Sequence, residues 1–591
     1  MNRQIIRPSS CLVACLLTWT LAVVGAAADN PAVQHDVTSS RGVVVSVSRE
    51  ASEVGIEVLR RGGHAVDVAV ATAFALAVTH PAAGNIGGGG FMMVHDVSHC
   101  STVCVEYRET APNAATREIY SKLNGSSRGH LSAGVPGTVR GMALAHEQFG
   151  RCCWRDLVEP AVKLAAEGFS IDEPLAKSLN GWIKRLDPYP EARRVYSKPD
   201  GSPWQAGDRL VQPELAKTLR LIADGGPNAF YCGAIADQIV AEMQAGGGLI
   251  SKADLAYYRA NVRRPIHGTY RGYDVFAPPP PSSGGIALVQ MLNILERFEL
   301  GSNSSAGHPS PPAPLPKGER GEANNRTRSA DETHLFIEVM RRAYFDRARY
   351  VGDPAFSDVP VDRLTSKSYA RELAAGIDRQ RATRSDELGR ELLTATEGPS
   401  TTHFSVVDAD GNAVANTYTL QDSYGSQVVV RGAGFLLNNE MTDFNLQPGV
   451  TDRDGRIGTA ANLVEPGKRM LSSQTPTLVM KEGRVVLVTG TPGGRTIINT
   501  VLGVVTNVID FGMTVRQAVD APRLHHQWLP DVAKLEPGRV SSDTHRELES
   551  RGHKLDDKHK QGDAHSIWID PATGLRHGAA DKRISGHAAG E

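Results

Sequence analysis

The run Thr401-Thr402-His403-Phe404-Ser405-Val406-Val407 opens with two adjacent hydroxyls. On residue type alone, a threonine heading an apolar run is an ordinary β-strand residue. It can also be a nucleophile, but a weak one that needs a base to accept its proton. The chain itself sets a second hydroxyl against the first. Asp408-Ala-Asp-Gly-Asn412 is a turn sequence, and Ala413 to Thr419 returns as a strand. If Val407 faces Ala413, antiparallel pairing places Thr401 opposite Thr419. Further on, Thr491-Pro-Gly-Gly494 forms a glycine turn ahead of a helix that runs to about Ile509. Gly493 and Gly494 suit a tight turn there. Phosphate chemistry is not supported at Gly87-Gly-Gly-Gly90, which lacks the Lys-Ser/Thr ending and precedes a strand. No cysteine–histidine cluster has zinc spacing.

Several elements must position these groups. Ser52 to Gly63 reads as a helix capped by Ser52 and stopped by Gly62-Gly63. Asp67 is placed as the cap of a second helix, Val68 to Val78, too apolar for a surface position and therefore buried on most sides. A strand follows at Phe91–Val94. Residues 143–250 are mainly helical. Pro278-Pro-Pro-Pro-Ser-Ser-Gly-Gly285 leads into a helix from Ile286 to Leu295, and helical pattern resumes from His334 to Tyr350. Residues 302–330 are rich in Ser, Pro, Gly, Asn and Arg, and read as an exposed disordered insertion. Beyond Thr401, further strands are expected at 434–438, 477–480 and 485–489. Strands around a glycine turn, backed by helices, indicate a layered α/β protein.

The chain has 591 residues, 41% hydrophobic and 22% charged, an ordinary globular balance. Lys and Arg number 64 against 65 Asp and Glu, so nothing favours nucleic acid or a polybasic membrane partner. Residues 1–28 carry Arg3 and Arg7, an apolar run from Cys11 to about Val24 and small residues to Ala28. That is the pattern of a cleaved secretory signal, and it places the mature chain outside the cytoplasm. No second membrane-spanning run follows. Cys11 and Cys15 leave with the leader. Cys100, Cys104, Cys152, Cys153 and Cys232 remain, an odd number that is no disulfide framework. Cys100 and Cys104 flank a turn and are candidates to pair.

Longer stretches carry more information. Gly84-Asn-Ile-Gly-Gly-Gly-Gly-Phe-Met92, Tyr107-Arg-Glu-Thr-Ala-Pro112 and Gly134-Val-Pro-Gly-Thr-Val-Arg-Gly141 come first. Pro280-Pro-Ser-Ser-Gly-Gly285, Thr401 to Val407 and Leu437-Asn-Asn-Glu-Met-Thr-Asp-Phe444 follow. Ser472-Ser473, Thr491-Pro-Gly-Gly-Arg495 and Pro522-Arg-Leu-His-His-Gln527 complete the series. In this order, over roughly residues 40 to 580, they resemble the gamma-glutamyltranspeptidase family of N-terminal-nucleophile hydrolases.

The resemblance implies a four-layer αββα sandwich assembled from both pieces of a self-cleaved precursor, residues 29–400 and 401–591. It implies a cut before Thr401, made by the Thr401 hydroxyl on the Ser400 carbonyl. The new α-amine, with a reference pKa of about 7.7, then serves as the base. Thr419 would hydrogen-bond the nucleophile, and Gly493 and Gly494 would form the oxyanion hole. Arg108, Ser472 and Ser473 would hold the α-carboxylate of a γ-glutamyl donor such as glutathione, and Glu440 and Asp443 its α-ammonium. Water, an amino acid or a dipeptide would accept the acyl group. No cofactor or metal is implied, and His403 keeps a structural role.

Two positions depart from the family pattern. Gln421 stands where well-studied members carry asparagine, and Asp454 where many carry a tyrosine in the loop over the pocket. Gln421 is still expected to reach substrate. A related acylase acting on another amide, such as a cephalosporin side chain, is the alternative. It would need an altered glutamyl clamp, and Arg108, Glu440, Asp443 and Ser472-Ser473 are intact. A non-catalytic binding protein would show failed processing or a blocked nucleophile, and intact Thr401, Thr419 and Gly493-Gly494 argue against it.

Overall fold

The computed structural model describes residues 33–121, 127–301, 328–389, 400–445, 459–558 and 560–591. The leader, most of the 302–330 stretch, the Gly398-Pro399 junction and Asp454 lie outside the described residues. Residues Gln34–Glu591 form one compact unit.

Two seven-stranded antiparallel sheets make its centre. In the first, the order is His587–Gly590, Val43–Ser46, Ser400–Val407, Ala413–Gln421, Gly89–Asp96, Ser101–Glu106 and Asn261–Arg263. In the second it is Asp36–Ser39, Arg576–Ala580, His565–Ile569, Arg484–Thr489, Thr477–Lys481, Tyr273–Ala277 and Ile266–Tyr270. The period of two along each strand distributes its side chains between two cores. Val43, Val45, Val407, Ala413 and Ala415 pack between the sheets against Leu478, Val488 and Ile567. Their neighbours Val44, Val406 and Val414 face the other way, onto the helices Arg49–Arg60, Ala65–Thr79 and Trp154–Glu167. The second sheet turns Val275, Val479 and Leu487 outward onto Gly284–Leu295, Ala330–Tyr350 and Thr496–Ile509. The layers are therefore αββα. Each sheet mixes strands from before and after Thr401, so neither part of the chain holds a complete sheet.

The helix at the centre of the first outer layer is buried along all of Ala65–Thr79, as its composition requires. Its cap is His64 rather than Asp67. Asp67 is the third helical residue, and its carboxylate accepts the His64 N–H in a capping box. Ser48, not Ser52, caps Arg49–Arg60, and Ser52 lies buried within the helix. No strand forms at 434–438. Leu436 makes a single bridge to Val429. The stretch read as an insertion ends before residue 328, because Arg328 is buried and Ser329 caps Ala330–Tyr350. The five described cysteines are free, with Cys100 exposed and Cys104 buried between the sheets, so these two do not pair. Among the described residues no helix is long and apolar enough to cross a membrane.

Candidate active site

Thr401 pairs with Thr419 across the hairpin, and Val407 with Ala413. The ladder slips between Ser400 and Thr401, leaving Ser400 opposite Gln421. Gln421 takes a positive φ of 81° there, a conformation that costs a non-glycine residue about 1–3 kcal/mol. The slip ends the regular strand beside the Thr401 hydroxyl. Thr401 Oγ1 donates to Thr419 Oγ1 over 3.4 Å, and the Gln421 N–H donates to the same Thr419 oxygen over 2.7 Å. Thr419 is thus fixed from its own strand and touches the candidate nucleophile.

Both threonines open onto one cleft. Arg108, Gln421, Glu440, Asp443, Ser472, Ser473 and Gly494 line it as well. Gly493 stands one residue back from the lining, at φ 133°, and Gly494 at φ 55°. A Cβ on Gly493 would lie 2.4 Å from Thr496 Oγ1, so the turn into Thr496–Ile509 demands glycine. Neither glycine N–H is used in a hydrogen bond among the described residues. Gly494 shares the cleft lining with Thr401, the neighbourhood in which an oxyanion donor is needed.

Arg108 is buried in a carboxylate cluster. Its Nη1 lies 2.7 Å from Glu440 Oε2 and 3.5 Å from Glu109 Oε2, and its Nη2 lies 2.5 Å from Asp443 Oδ2. Nη2 also donates to the Leu471 carbonyl and Nε to that of Met470. Its fork is therefore engaged by the protein rather than held open. Burial disfavours the cation, but Glu440, Glu109 and Asp443 together outweigh it and keep the arginine ionised. The acids bear the cost. Burial pushes Glu109 up to about 7 and Glu440 well above the usual range, with Arg108 opposing both. Three carboxyls share one guanidinium, and Glu440 Oε1 has no hydrogen-bond partner. Such a cluster favours a ligand that brings positive charge.

The other residues read from the sequence fall around this cluster. Gln421 Nε2 donates to Asp443 Oδ1 over 2.9 Å and to Thr442 Oγ1 over 3.2 Å, while its Oε1 is buried without a partner. Ser472 Oγ accepts the Gln474 N–H. Ser473 Oγ accepts from Arg347 Nη2 over 2.9 Å. Arg347, Glu109, Gln474 and Ile497 were not anticipated. Arg347 projects from Ala330–Tyr350 with nothing in its local sequence to mark it, whereas Glu109 follows Arg108 directly. His403 is buried, bonded to Thr417 Oγ1 and Ser405 Oγ, and kept neutral by burial and by His565. It is not part of the cleft lining.

One group of described residues has metal-ligand types: His334, Glu338 and His553 bring ligand atoms within 4.8 Å of one another. It is not part of the cleft lining. Glu338 is already paired with Arg341 and Arg342, and the His334 and His553 rings are bonded to each other over 2.7 Å.

The Gamma-glutamyltranspeptidase family model matches residues 51–591. The chain is 44% identical over 585 residues to the glutathione hydrolase proenzyme of Escherichia coli (strain K12), covering 97% of each. Among solved structures, it is similar to the cephalosporin acylase from Bacillus halodurans, with TM-score 0.79, 28% identity and coverage of 95% of this chain and 98% of that one. It is also similar to the Helicobacter pylori gamma-glutamyltranspeptidase, with TM-score 0.51, 39% identity and coverage of 57% and 91%. A paired Thr401 and Thr419, a glycine turn at the same cleft and near full-length likeness converge: the chain belongs to the gamma-glutamyltranspeptidase family.

Proposed function

We propose that this protein is an exported, self-cleaving γ-glutamyl hydrolase and transferase, with Thr401 as the nucleophile of both cleavage and turnover. In cleavage, Thr401 Oγ attacks the Ser400 carbonyl carbon, the Ser400–Thr401 amide bond breaks, and the acyl group passes from nitrogen to oxygen. Water then hydrolyses the ester, leaving a carboxylate on Ser400 and a free α-amine on Thr401. In turnover, that amine takes the hydroxyl proton as Oγ attacks the γ-carbonyl of a donor such as glutathione. The proton passes to the departing amine, and a γ-glutamyl ester remains on Thr401. Water, an amino acid or a dipeptide then takes the glutamyl group. The Gly493 and Gly494 N–H groups stabilise the oxyanion of each addition, and Thr419 holds the nucleophile in line.

The single observation that carries this reading is the carboxylate-rich pocket beside Thr401. The α-ammonium of a free γ-glutamyl group supplies a second positive charge to a cluster in which Glu440, Asp443 and Glu109 share the Arg108 guanidinium. Its α-carboxylate meets the hydroxyls of Ser472 and Ser473, and reaches Arg108 by displacing one of the groups that engage its fork. Gln421 faces the same end of the cleft, with an unused amide oxygen. The acylase alternative draws on the likeness to the cephalosporin acylase, but an acyl group without an ammonium leaves the cluster uncompensated. We assign residues 1–28 to an export signal, 29–400 to the larger piece and 401–591 to the smaller. Intact-mass analysis of purified protein, followed by γ-glutamyl anilide turnover with and without glycylglycine, tests the whole assignment. Two chains split at Thr401 and anilide release are expected. A single chain, or release from a cephalosporin amide alone, contradicts it.

A further inference from the structure

The motif Pro522-Arg-Leu-His-His-Gln527 takes no part in the cleft at Thr401, yet Pro522, Arg523 and Leu524 form the wall of a second one. This second cleft lies on the far side of Thr496–Ile509, where Asn499, Thr500, Gly503 and Asn507 face it. Three arginines line it: Arg328, Arg523 and Arg539. All are more than nine-tenths buried. Arg523 has its anion, because Nη2 pairs with Asp581. The other two make no ion pair among the described residues.

Arg328 lies between the rings of Phe336 and Phe511, at 4.0 and 4.5 Å. Its Nη2 donates to Asn507 Oδ1 over 2.6 Å and to Thr506 Oγ1 over 3.4 Å, while Nη1 is buried with no partner. The Arg539 side chain makes no hydrogen bond among the described residues, and its Nε is buried. The nearby carboxylates are already committed. Glu332 closes the capping box of Ala330–Tyr350, Glu536 binds Arg583, and Asp510 binds Arg271 and Tyr270. Burial lowers Arg328 to about 10 and Arg539 well below the usual arginine value, and repulsion from Arg328 adds to the shift of Arg539. A buried guanidinium without a counter-charge is costly, and two lining one cavity are costlier.

We propose that this second cleft is an anion site that takes phosphate, free or as a small phosphomonoester. Two unpaired guanidiniums match a doubly charged oxyanion, and their forks suit its oxygens. Two further polar atoms in the lining are unsatisfied: Thr500 Oγ1, which can donate, and Asn499 Oδ1, which can only accept. The acceptor selects an oxyanion that also carries an O–H, which hydrogen phosphate does near neutral pH and sulfate does not, and which a monoester supplies from a hydroxyl of its alcohol.

The test compares thermal unfolding of the full chain in sodium phosphate, sulfate and chloride at matched ionic strength, with glycerol phosphate as the ester arm. Calorimetric titration with inorganic phosphate accompanies it. A ligand that binds only the folded state raises Tm in a saturable way. Phosphate is expected to do so beyond sulfate and chloride. A further gain from glycerol phosphate identifies the ester as the better ligand, and its exclusion identifies the free ion. Without phosphate, Arg539→Met should match or exceed the wild-type Tm, because it removes a buried unpaired charge. With phosphate the order should reverse. Thr500→Val, a smaller change, should weaken phosphate binding several-fold and covers the case in which Arg539→Met does not fold. Equal shifts in all three salts, no saturable heat, or phosphate stabilisation undiminished in the variants would overturn the proposal.

Discussion

Arg108 illustrates how one side chain can be read for its chemistry and still be underestimated. A substrate clamp should be removable without harm to the fold. Here the guanidinium also holds Glu440, Glu109, Asp443 and two carbonyls in a buried cluster. Arg108→Ala leaves buried carboxyls uncompensated and should cost about 3–5 kcal/mol of stability, measured by denaturant unfolding. Arg108→Lys keeps the charge but not the fork, and is the better kinetic probe. It should raise KM for the donor strongly while the chain is still cut. The acids predict a pH dependence. Glu109 holds its proton in the fold up to about 7, whereas an unfolded glutamate loses it near 4.5. Between those values the folded state binds more protons, so this group makes stability fall as pH rises. Glu109→Gln should flatten that slope in unfolding curves from about pH 4.5 to 7. Thr401 and Thr419 were legible as a pair because a short turn fixes hairpin register. The roles proposed for Arg108 and Glu440 rest on motif likeness. Arg347 was not legible, because its link to Ser473 depends on how a helix packs from far along the chain.

At the scale of elements, caps and turns decide where the site residues come to rest. The Asp67 carboxylate accepts N–H groups from His64, Arg151 and Cys152, and so ties the buried helix Ala65–Thr79 to the start of Trp154–Glu167. Asp67→Ala orphans these donors and should destabilise the protein by about 1–3 kcal/mol, read as a lower Tm. The sequence marks Asp67 as a cap, but the true cap is an imidazole, a residue type that ordinary capping preferences pass over. The expected strand at 434–438 fails for a related reason. Its apolar residues are buried, but they serve a tight loop with Gly432 and Gly434 at positive φ rather than a ladder. The Gly493 turn makes a sharper prediction. Gly493→Ala meets both a positive φ and a 2.4 Å contact with Thr496 Oγ1. The displaced donor should lower kcat by about 10²–10³ with little change in KM. An unchanged kcat would remove the turn from the reaction.

At the scale of the molecule, both sheets contain strands from both sides of Thr401. Alternating apolar residues disclosed the strands, and the order of motifs disclosed the fold, but no local pattern specifies that His587–Gly590 should pair with Val43–Ser46. That contact is set by the closure of the whole sandwich. Interleaving means that cutting the chain should not separate its pieces. Residues 29–400 and 401–591, co-expressed as two chains, should co-elute in size-exclusion chromatography, and either alone should be insoluble. If the second chain begins at Thr401, turnover should appear with no self-cleavage at all. The central claim is that one hydroxyl performs both cleavage and turnover. Intact-mass analysis and anilide turnover of Thr401→Ala test it most directly. A single uncut chain without turnover is the expected result, and cleavage at Ser400–Thr401 with normal turnover would contradict the account.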